Sequence, residues 1–189
     1  MSDDPALDAH EHAEHAEHAA HEGNPFIATV SITVAVLAVM AAAAGSLETV
    51  EGGRAITESS AAVLAQDQAT DNWNEYQADS LKRHMYDIAA ATGGTEADDY
   101  RKQSAEQRHE QDSARQKAEG LEKERDTHTR LSATHEERHH WLTGAATLIE
   151  IGIALSTVAI ITRKTSFWFG AIGLGAVGAA LFGYAYLMI

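Results

Sequence analysis

The chain has 189 residues and a formal net charge of -14, with 14 basic against 28 acidic residues. This balance disfavours a nucleic-acid partner, because binding to a phosphate backbone depends on clustered lysine and arginine. The chain contains no cysteine, which excludes disulfides, thiolate nucleophiles and cysteine-based metal sites. Its apolar residues are gathered in blocks, so the average composition conceals segments of very different character.

Residues 1–23 form a low-complexity segment, MSDDPALDAHEHAEHAEHAAHEG. This segment has no large apolar residue after Leu7 and cannot build a core, which predicts a disordered, solvated tail. Its histidines are His10, His12, His15, His18 and His21. The last four recur every three residues, which brings neighbouring imidazoles close together on a helix. Loose capture of a transition metal by these four histidines is the alternative interpretation.

Three apolar segments predict transmembrane helices over residues 24–45, 141–162 and 166–189. The first opens with Asn24-Pro25, a helix cap followed by proline at the first helical position. Acidic residues and histidines precede it instead of lysine or arginine, so we interpret it as a retained membrane anchor and not as a signal peptide. Trp141 and the Arg163-Lys164 pair flank the second span, as is typical of helix ends at a membrane surface.

Small residues recur every four positions along the third span, at Ala171, Gly175, Ala179 and Gly183. Small side chains allow helix backbones to approach closely in lipid, so this pattern predicts a helix-packing face. Glycine is common in membrane helices in any case, and the alternative is that these residues are merely tolerated there.

Residues 46–140, between the first two spans, predict a long antiparallel helical hairpin that turns at residues 92–95. Gly93 and Gly94 readily take the positive φ that ends a helix, and Thr95 with Asp98 matches the capping box of a new helix. Residues equally far from this turn then face each other, which sets the end of the first apolar block opposite the start of the second. The fold class is therefore an all-α membrane protein with three transmembrane helices and a coiled-coil-like hairpin.

The arms of this hairpin contain few apolar residues. The first arm carries a group of them near the turn, at Trp73, Tyr76, Leu81, Met85 and Ile88, whereas the facing arm is dominated by charge. Two helices this polar bury too little apolar surface to be stable alone, so we expect a homo-oligomer. The sequence names no partner for the tip of the hairpin.

Two stretches carry a family resemblance. They are residues 67–88, DQATDNWNEYQADSLKRHMYDI, and residues 135–164, HEERHHWLTGAATLIEIGIALSTVAIITRK. They resemble a bacterial membrane-protein family known as domain of unknown function 4337, and the resemblance extends over most of the chain from Phe26 onward. It implies the three-span layout and the histidine-rich tail, but no reaction, substrate or catalytic residue. It also implies glutamine where this chain has Glu150.

Residues 135–139 match the pattern H-E-x-x-H, in which two histidines bind zinc and the glutamate acts as a general base. The region is crowded with histidine and glutamate, and a helix that runs into a membrane span offers neither a third ligand nor a substrate cleft. We therefore interpret the match as coincidental and predict no enzymatic activity, with a metalloprotease as the alternative.

A second grouping follows from counting outward from the turn, which places Glu48 opposite His139 and Glu51 opposite Glu136, near His135 and His140. Two histidines and a carboxylate could hold a divalent metal ion. We favour a solvated cluster without a cofactor, because histidine is tolerated at such a surface without a ligand.

Glu150 lies near the middle of the second span. A carboxylate at that depth costs about 2.5–3.5 kcal/mol, so the side chain is expected to face a bundle interior or water, or to be neutral. It either lines an ion or proton path around an oligomer axis or acts as a neutral hydrogen-bonding group between helices, as Thr147, Ser156 and Thr157 could also do.

These patterns predict a homo-oligomeric, multi-pass protein of the bacterial inner membrane, surrounded by lipid, with a structural or scaffolding role. An oligomeric ion or proton conduit that uses Glu150 is the alternative. The basic residues of the short Arg163-Lys164 loop favour a cytoplasmic position for that loop and for the tail.

Overall fold

A computed structural model of the protein describes residues 25–187. These residues form three α-helices and no strand: α1 spans Pro25–Ala91, α2 spans Ala97–Thr162 and α3 spans Thr165–Leu187. Each helix is long enough, and apolar enough over part of its length, to cross a membrane. The predicted all-helical class is therefore confirmed. The predicted metal capture by His12, His15, His18 and His21 lies outside the described residues.

The link between α1 and α2 contains the two glycines that predict a turn. Gly93 has a φ of 75° and Gly94 a φ of 124°, conformations that glycine adopts without a steric penalty. A further turn follows, in which the Ala97 amide donates to the Gly94 carbonyl at 3.3 Å. Because of this extra turn, α2 begins at Ala97, two residues after the Thr95 cap that the sequence predicts.

The link between α2 and α3 is much shorter. Only Arg163 and Lys164 separate the two helices, and Arg163 has a φ of 54°. This left-handed conformation costs about 1–2 kcal/mol for a residue with a β-carbon. The reversal of the chain is thus completed by a single residue held in a disfavoured conformation.

The described residues fall into two compact units. The first unit contains residues 25–55 of α1, residues 134–162 of α2 and all of α3. The second unit contains residues 56–133, which are the remaining parts of α1 and α2 and the link between them.

The first unit packs large aliphatic side chains of α1 and α2 against small residues of α3. Val34, Leu37, Ala38, Ile149 and Ile153 form its core cluster. A β-carbon placed on Gly175 would lie 2.5 Å from Cδ2 of Leu37, and one placed on Gly178 would lie 2.7 Å from Cγ1 of Ile149. Glycine at these positions therefore allows α3 to approach both other helices.

Aromatic contacts join the same three helices. Phe26 and Trp168 meet edge to face with ring centroids 6.2 Å apart, and Trp168 Nε1 donates to Thr33 Oγ1 at 3.2 Å. Trp141 meets Tyr184 with centroids 5.2 Å apart. The first pair of contacts connects α1 to the start of α3, and the Trp141–Tyr184 contact connects α2 to the end of α3.

The second unit is packed mainly by small and polar side chains. Its buried residues include the alanines Ala62, Ala65, Ala69, Ala90, Ala114 and Ala118, together with Asp79, Ser104 and Gln111. Buried or half-buried positions recur every seven residues along α2, at residues 100, 107, 114, 121 and 128 and at residues 97, 104, 111, 118, 125 and 132. This is the repeat of a coiled coil, but alanine and polar residues occupy most of the positions where leucine and isoleucine are usual, with Tyr100 and Leu121 as the exceptions.

Side-chain contacts connect α1 and α2 within the second unit. The pairs are Glu58 with His128, Gln66 with Arg125, Trp73 with Glu122, Tyr86 with Tyr100 and Asp87 with Ser104. In the Glu58–His128 and Tyr86–Tyr100 pairs, the two residues are equally far from Gly93 along the chain. In the other three pairs, the residue of α2 lies farther from Gly93 than its partner in α1 does, by five residues in two pairs and by nine in the Trp73–Glu122 pair.

Candidate functional site

The first unit carries a polar cluster formed by α1 and α2. It consists of Glu48, Glu51, Arg54, His135, Arg138 and His139, and we call it the boundary cluster. At its centre is Glu51, which is only 7 % exposed. His135 Nδ1 donates to Glu51 Oε2 at 2.6 Å, and Arg54 Nη1 donates to Glu51 Oε1 at 2.9 Å.

The environment of Glu51 favours its ionised form. Burial raises the pKa of the Glu51 carboxyl, but the hydrogen bond from His135 and the positive charges of His135, Arg54 and Arg138 lower it more, so the pKa lies below its ordinary value. The Arg138 guanidinium is 3.9 Å from Glu51 Oε2. The sequence register sets Glu51 opposite Glu136, but its contact is with His135, which is as far from Gly93 as Glu51 is.

Glu48 and His139 meet as the register predicts, although the contact is through the backbone. His139 Nδ1 donates to the Glu48 carbonyl oxygen at 3.1 Å, while Glu48 Oε1 lies 2.6 Å from Thr143 Oγ1. A β-carbon on Gly52 would lie 3.2 Å from His139 Nδ1. Gly52 therefore leaves space for the imidazole of His139.

His140 does not join the boundary cluster. It is exposed, and its Nδ1 donates to the Glu136 carbonyl of its own helix at 2.7 Å. The histidines of the H-E-x-x-H stretch, His135 and His139, contact different residues of α1. Over residues 25–187, no group of three or more His, Asp or Glu side chains is arranged to hold a metal ion. The predicted ligands are thus brought together as pairs.

Glu150 lies on the outer surface of the first unit. It is exposed, and so are Thr147, Ala154 and Thr157 at intervals of three and four residues, which places all four on one face of α2. We call these four residues the α2 stripe. Thr147 Oγ1 donates to the Thr143 carbonyl at 2.8 Å and Thr157 Oγ1 to the Ile153 carbonyl at 3.2 Å.

Ser156 does not lie on the same exposed face of α2 as the α2 stripe. Its side chain is fully buried, and its Oγ has no hydrogen-bond partner among the residues that the structure describes. The sequence groups Ser156 with Thr147 and Thr157 as polar residues of one span, but the structure separates it from them.

The small residues of α3 follow a different spacing from the predicted one. Ala171, Gly175, Gly178 and Ala185 are buried, whereas Ala179 and Gly183 are half-buried. A β-carbon on Gly183 would have no other atom within 4 Å. The two closest approaches of α3 within the first unit are therefore at Gly175 and Gly178.

Comparison with known proteins assigns this chain to a family. The model described as Domain of unknown function (DUF4337) matches residues 26–188. The chain belongs to the DUF4337 family. A search of curated proteins and a search of solved structures give no match. The resemblance seen in the sequence is thus confirmed, and the match includes all three helices, the boundary cluster and the α2 stripe.

Two features of this DUF4337 chain are missed by the sequence patterns. Gly178 is missed because a strict four-residue spacing drifts by about 40° per step around a helix, whereas a face of constant direction alternates three- and four-residue steps. The seven-residue repeat of the second unit is missed because it is carried mostly by alanine and polar residues. No single residue type recurs every seven positions along either series, so the sequence alone does not reveal the repeat.

Proposed function

We propose that this DUF4337 protein is an integral membrane protein that assembles as a homo-oligomer and has a structural or interaction role. In this proposal α1, α2 and α3 each cross the membrane, and residues 46–140 form an antiparallel, coiled-coil-like hairpin outside it. The side-chain pairs between α1 and α2 in the second unit support this hairpin. The proposal includes no catalysis and no nucleic-acid partner.

The observation that carries the proposal is an apolar surface on the second unit. Of the large aliphatic residues that α1 exposes in this unit, five share one helix face: Ile56, Val63, Leu81, Met85 and Ile88. At 100° per residue they lie within about 60° of one another around the helix. We call them the outer stripe. Leu64 is also exposed but lies about 80° away from Ile56 around the helix. Apolar surface in water costs about 25 cal/mol per Å², so a stripe of this kind needs a covering partner.

A second copy of the same chain suits this surface. The outer stripe lies on one helix face, and three of its members, Leu81, Met85 and Ile88, have the four- and three-residue spacing of a coiled-coil contact. Each copy presents the same stripe, so two copies can bury theirs against each other in a symmetric contact. The polar interior of the unit leaves these aliphatic side chains free for that contact.

The proposal is tested by the mass of the protein in lipid nanodiscs. The double substitution Leu81→Glu with Met85→Glu places two charges in the outer stripe and should reduce the oligomer to smaller species. Gln68→Glu adds a charge at an exposed position about 120° away from the stripe, and it should leave the mass unchanged. A monomeric wild-type protein, or a double variant of unchanged mass, contradicts the proposal.

A second candidate function is an oligomeric ion or proton conduit. The exposure of Glu150 beside two threonines favours it, because carboxylate and hydroxyl oxygens bind cations. If the α2 stripe lines a water-filled axis at the centre of the oligomer, transport is indicated. If that axis is tightly packed or filled with lipid, a scaffold is indicated. Cation flux into liposomes that is present for the wild-type protein and absent for Glu150→Gln would support the conduit.

The proposed membrane is the bacterial inner membrane, with the Arg163-Lys164 loop and the tail in the cytoplasm and residues 46–140 outside. The chain has no cysteine, so Gly93→Cys gives a unique thiol in the exposed link between α1 and α2. An impermeant thiol reagent should label it in intact cells. Protection of the thiol reverses the orientation.

A further inference from the structure

The outward faces of the three helices in the first unit differ in polarity. On α1 the exposed residues include Ile32, Val36 and Val39. On α3 they include Phe169, Ile172 and Val177. Such residues suit direct contact with lipid. On α2, in contrast, the α2 stripe adds a carboxyl group and two hydroxyl groups to the outer surface.

This stripe is unfavourable in contact with lipid. A charged carboxylate near the middle of the bilayer costs about 2.5–3.5 kcal/mol, and even a neutral carboxyl group needs a hydrogen-bond partner there. Within its own chain Glu150 is exposed. The partner must therefore come from outside the chain.

The α2 stripe contains the chemistry that this partner requires. The Thr147 and Thr157 hydroxyl hydrogens are donated to carbonyls of α2 itself, so their oxygens retain lone pairs and act as acceptors. A neutral Glu150 carboxyl group supplies an O–H donor. Ala154 is small and allows another helix backbone to approach closely. Donor, acceptors and space thus occur together on one helix face, so two copies of that face are complementary.

We propose that the α2 stripe is the contact between two copies of this chain inside the membrane, with the Glu150 carboxyl group of each copy donating a hydrogen bond to Thr147 Oγ1 of the other. In a parallel pair, residues of equal number lie at equal depth, and Thr147 is within one helical turn of Glu150. This inference rests on the proposed homo-oligomer and specifies where its membrane contact lies.

The first test is disulfide crosslinking in native membranes, using single cysteines in the otherwise cysteine-free chain. Ala154→Cys should give a covalent dimer on oxidation, because equal residues of the two stripes face each other. Val36→Cys and Val177→Cys are the controls, since they lie on the exposed faces of α1 and α3. These controls should remain monomeric. Equal crosslinking at all three positions, or none at Ala154→Cys, overturns the proposal.

The second test is the dissociation of the oligomer in lipid nanodiscs. Glu150→Gln retains a neutral hydrogen-bond donor and should leave dissociation nearly unchanged. Glu150→Leu removes the donor from both copies and should weaken association by about tenfold, the combined effect of two hydrogen bonds between membrane helices. Circular dichroism checks that both variants keep their helices, as expected for an exposed position. If Glu150→Gln weakens association as much as Glu150→Leu, the neutral hydrogen bond between the copies is contradicted.

The outcomes also separate this inference from the proposed function. A monomeric wild-type protein contradicts both. An oligomeric wild-type protein whose dissociation is unchanged by Glu150→Leu, and which shows no crosslink at Ala154→Cys, leaves the homo-oligomer in place and moves its membrane contact to another surface.

Discussion

The two units of this protein place their large aliphatic residues differently. In the first unit, Leu37, Ile149 and Ile153 are buried, and Leu37 and Ile149 pack against glycines of α3. In the second unit, the buried positions belong largely to alanine and polar residues, and Leu81, Met85 and Ile88 are 62–67 % exposed. Large aliphatic residues therefore occur both in the interior and on the surface of the first unit, whereas the fully buried positions of the second unit contain none of them.

The difference indicates that, in both units, the size of a side chain decides whether it fits in the interior more than its polarity does. Glycine in α3 lets a leucine or an isoleucine of a neighbouring helix fit beside its backbone. Alanine at many buried positions of the second unit leaves little space for a larger side chain at those positions, although Asp79 and Gln111 are buried elsewhere in the unit. Since interiors are packed as densely as organic crystals, extra volume should be costly in both units.

The largest effect is expected from added volume in the second unit. Ala118 is fully buried, and Ala118→Leu should destabilise the second unit by about 3 kcal/mol, the upper part of the range for overpacked cores. Hydrogen exchange over residues 97–133, measured by mass spectrometry, should become faster. The control is Ala105→Leu, an exposed position in the same helix that should change little. Equal exchange rates in the two variants would show that alanine size does not matter there.

The same comparison in the first unit uses Gly178. A β-carbon there would lie 2.7 Å from Ile149 Cγ1 and 2.9 Å from the Ala145 carbonyl oxygen. Because the second neighbour is backbone, Gly178→Ala should cost about 2 kcal/mol and lower the unfolding temperature in detergent. Gly173→Ala is the control, as its β-carbon would have no other atom within 4 Å. The close packing of α3 is contradicted if the two variants unfold at the same temperature.

A smaller effect is expected at Glu51, whose charge is buried beside His135 and Arg138. Glu51→Gln weakens a charge-assisted hydrogen bond, which should cost about 1.5 kcal/mol at neutral pH. The pKa of Glu51 is lowered from 4.5, so the stability that its carboxylate adds is fully present above pH 4.5 and is lost as the pH falls through the lowered pKa. The groups that face this carboxylate are His135, Arg54 and Arg138.

This pH dependence is checked by denaturant unfolding of the wild-type protein and the Glu51→Gln variant. Their difference in unfolding free energy should be constant above pH 4.5 and shrink at lower pH. A difference that shrinks as the pH rises would assign the stabilisation to another titrating group. Glu48→Gln serves as a control within the boundary cluster, because the contact of Glu48 with His139 uses the backbone carbonyl.

The smallest expected effect is a difference in stability between alanine substitutions at two adjacent glycines of α1. Replacing an exposed helical glycine by alanine stabilises a helix by about 0.5–1 kcal/mol, and Gly53→Ala should show this gain because its β-carbon would have no other atom within 4 Å. Gly52→Ala should gain less, since its β-carbon would press on the His139 ring at 3.2 Å. Thermal unfolding of the two variants measures the difference. Equal gains would mean that the imidazole moves aside at no cost.

The sequence predicts the helical class and the three apolar helices because both depend on local properties. A run of about twenty uncharged residues is a strong signal, and so is the Gly93-Gly94 pair, whose positive φ values the structure contains. The interior of the second unit is harder to predict. The usual expectation that large apolar residues lie inside would bury Leu81 and Met85, but both are exposed, and the buried residues of this unit include Asp79 and Ser104.

The boundary cluster shows a second limit of the sequence. Counting from the turn finds the contact of Glu48 with His139, but it sets Glu51 one residue away from its true partner, His135. An error of one residue rotates a side chain by about 100° around a helix, so it changes which groups meet. The position of Glu150 on an outer face is likewise not visible in the sequence, because it depends on how three helices pack together.

The two-residue link at Arg163 and Lys164 has a consequence for the biosynthesis of the protein. A link this short cannot carry a soluble domain or cross a membrane by itself. In the proposed membrane topology, α2 and α3 must therefore enter the bilayer together, as one inserted pair whose direction is decided once. Because the loop is closed by an arginine at a φ of 54°, the positive charge that helps to hold the loop on one side of the membrane belongs to the same residue that reverses the chain.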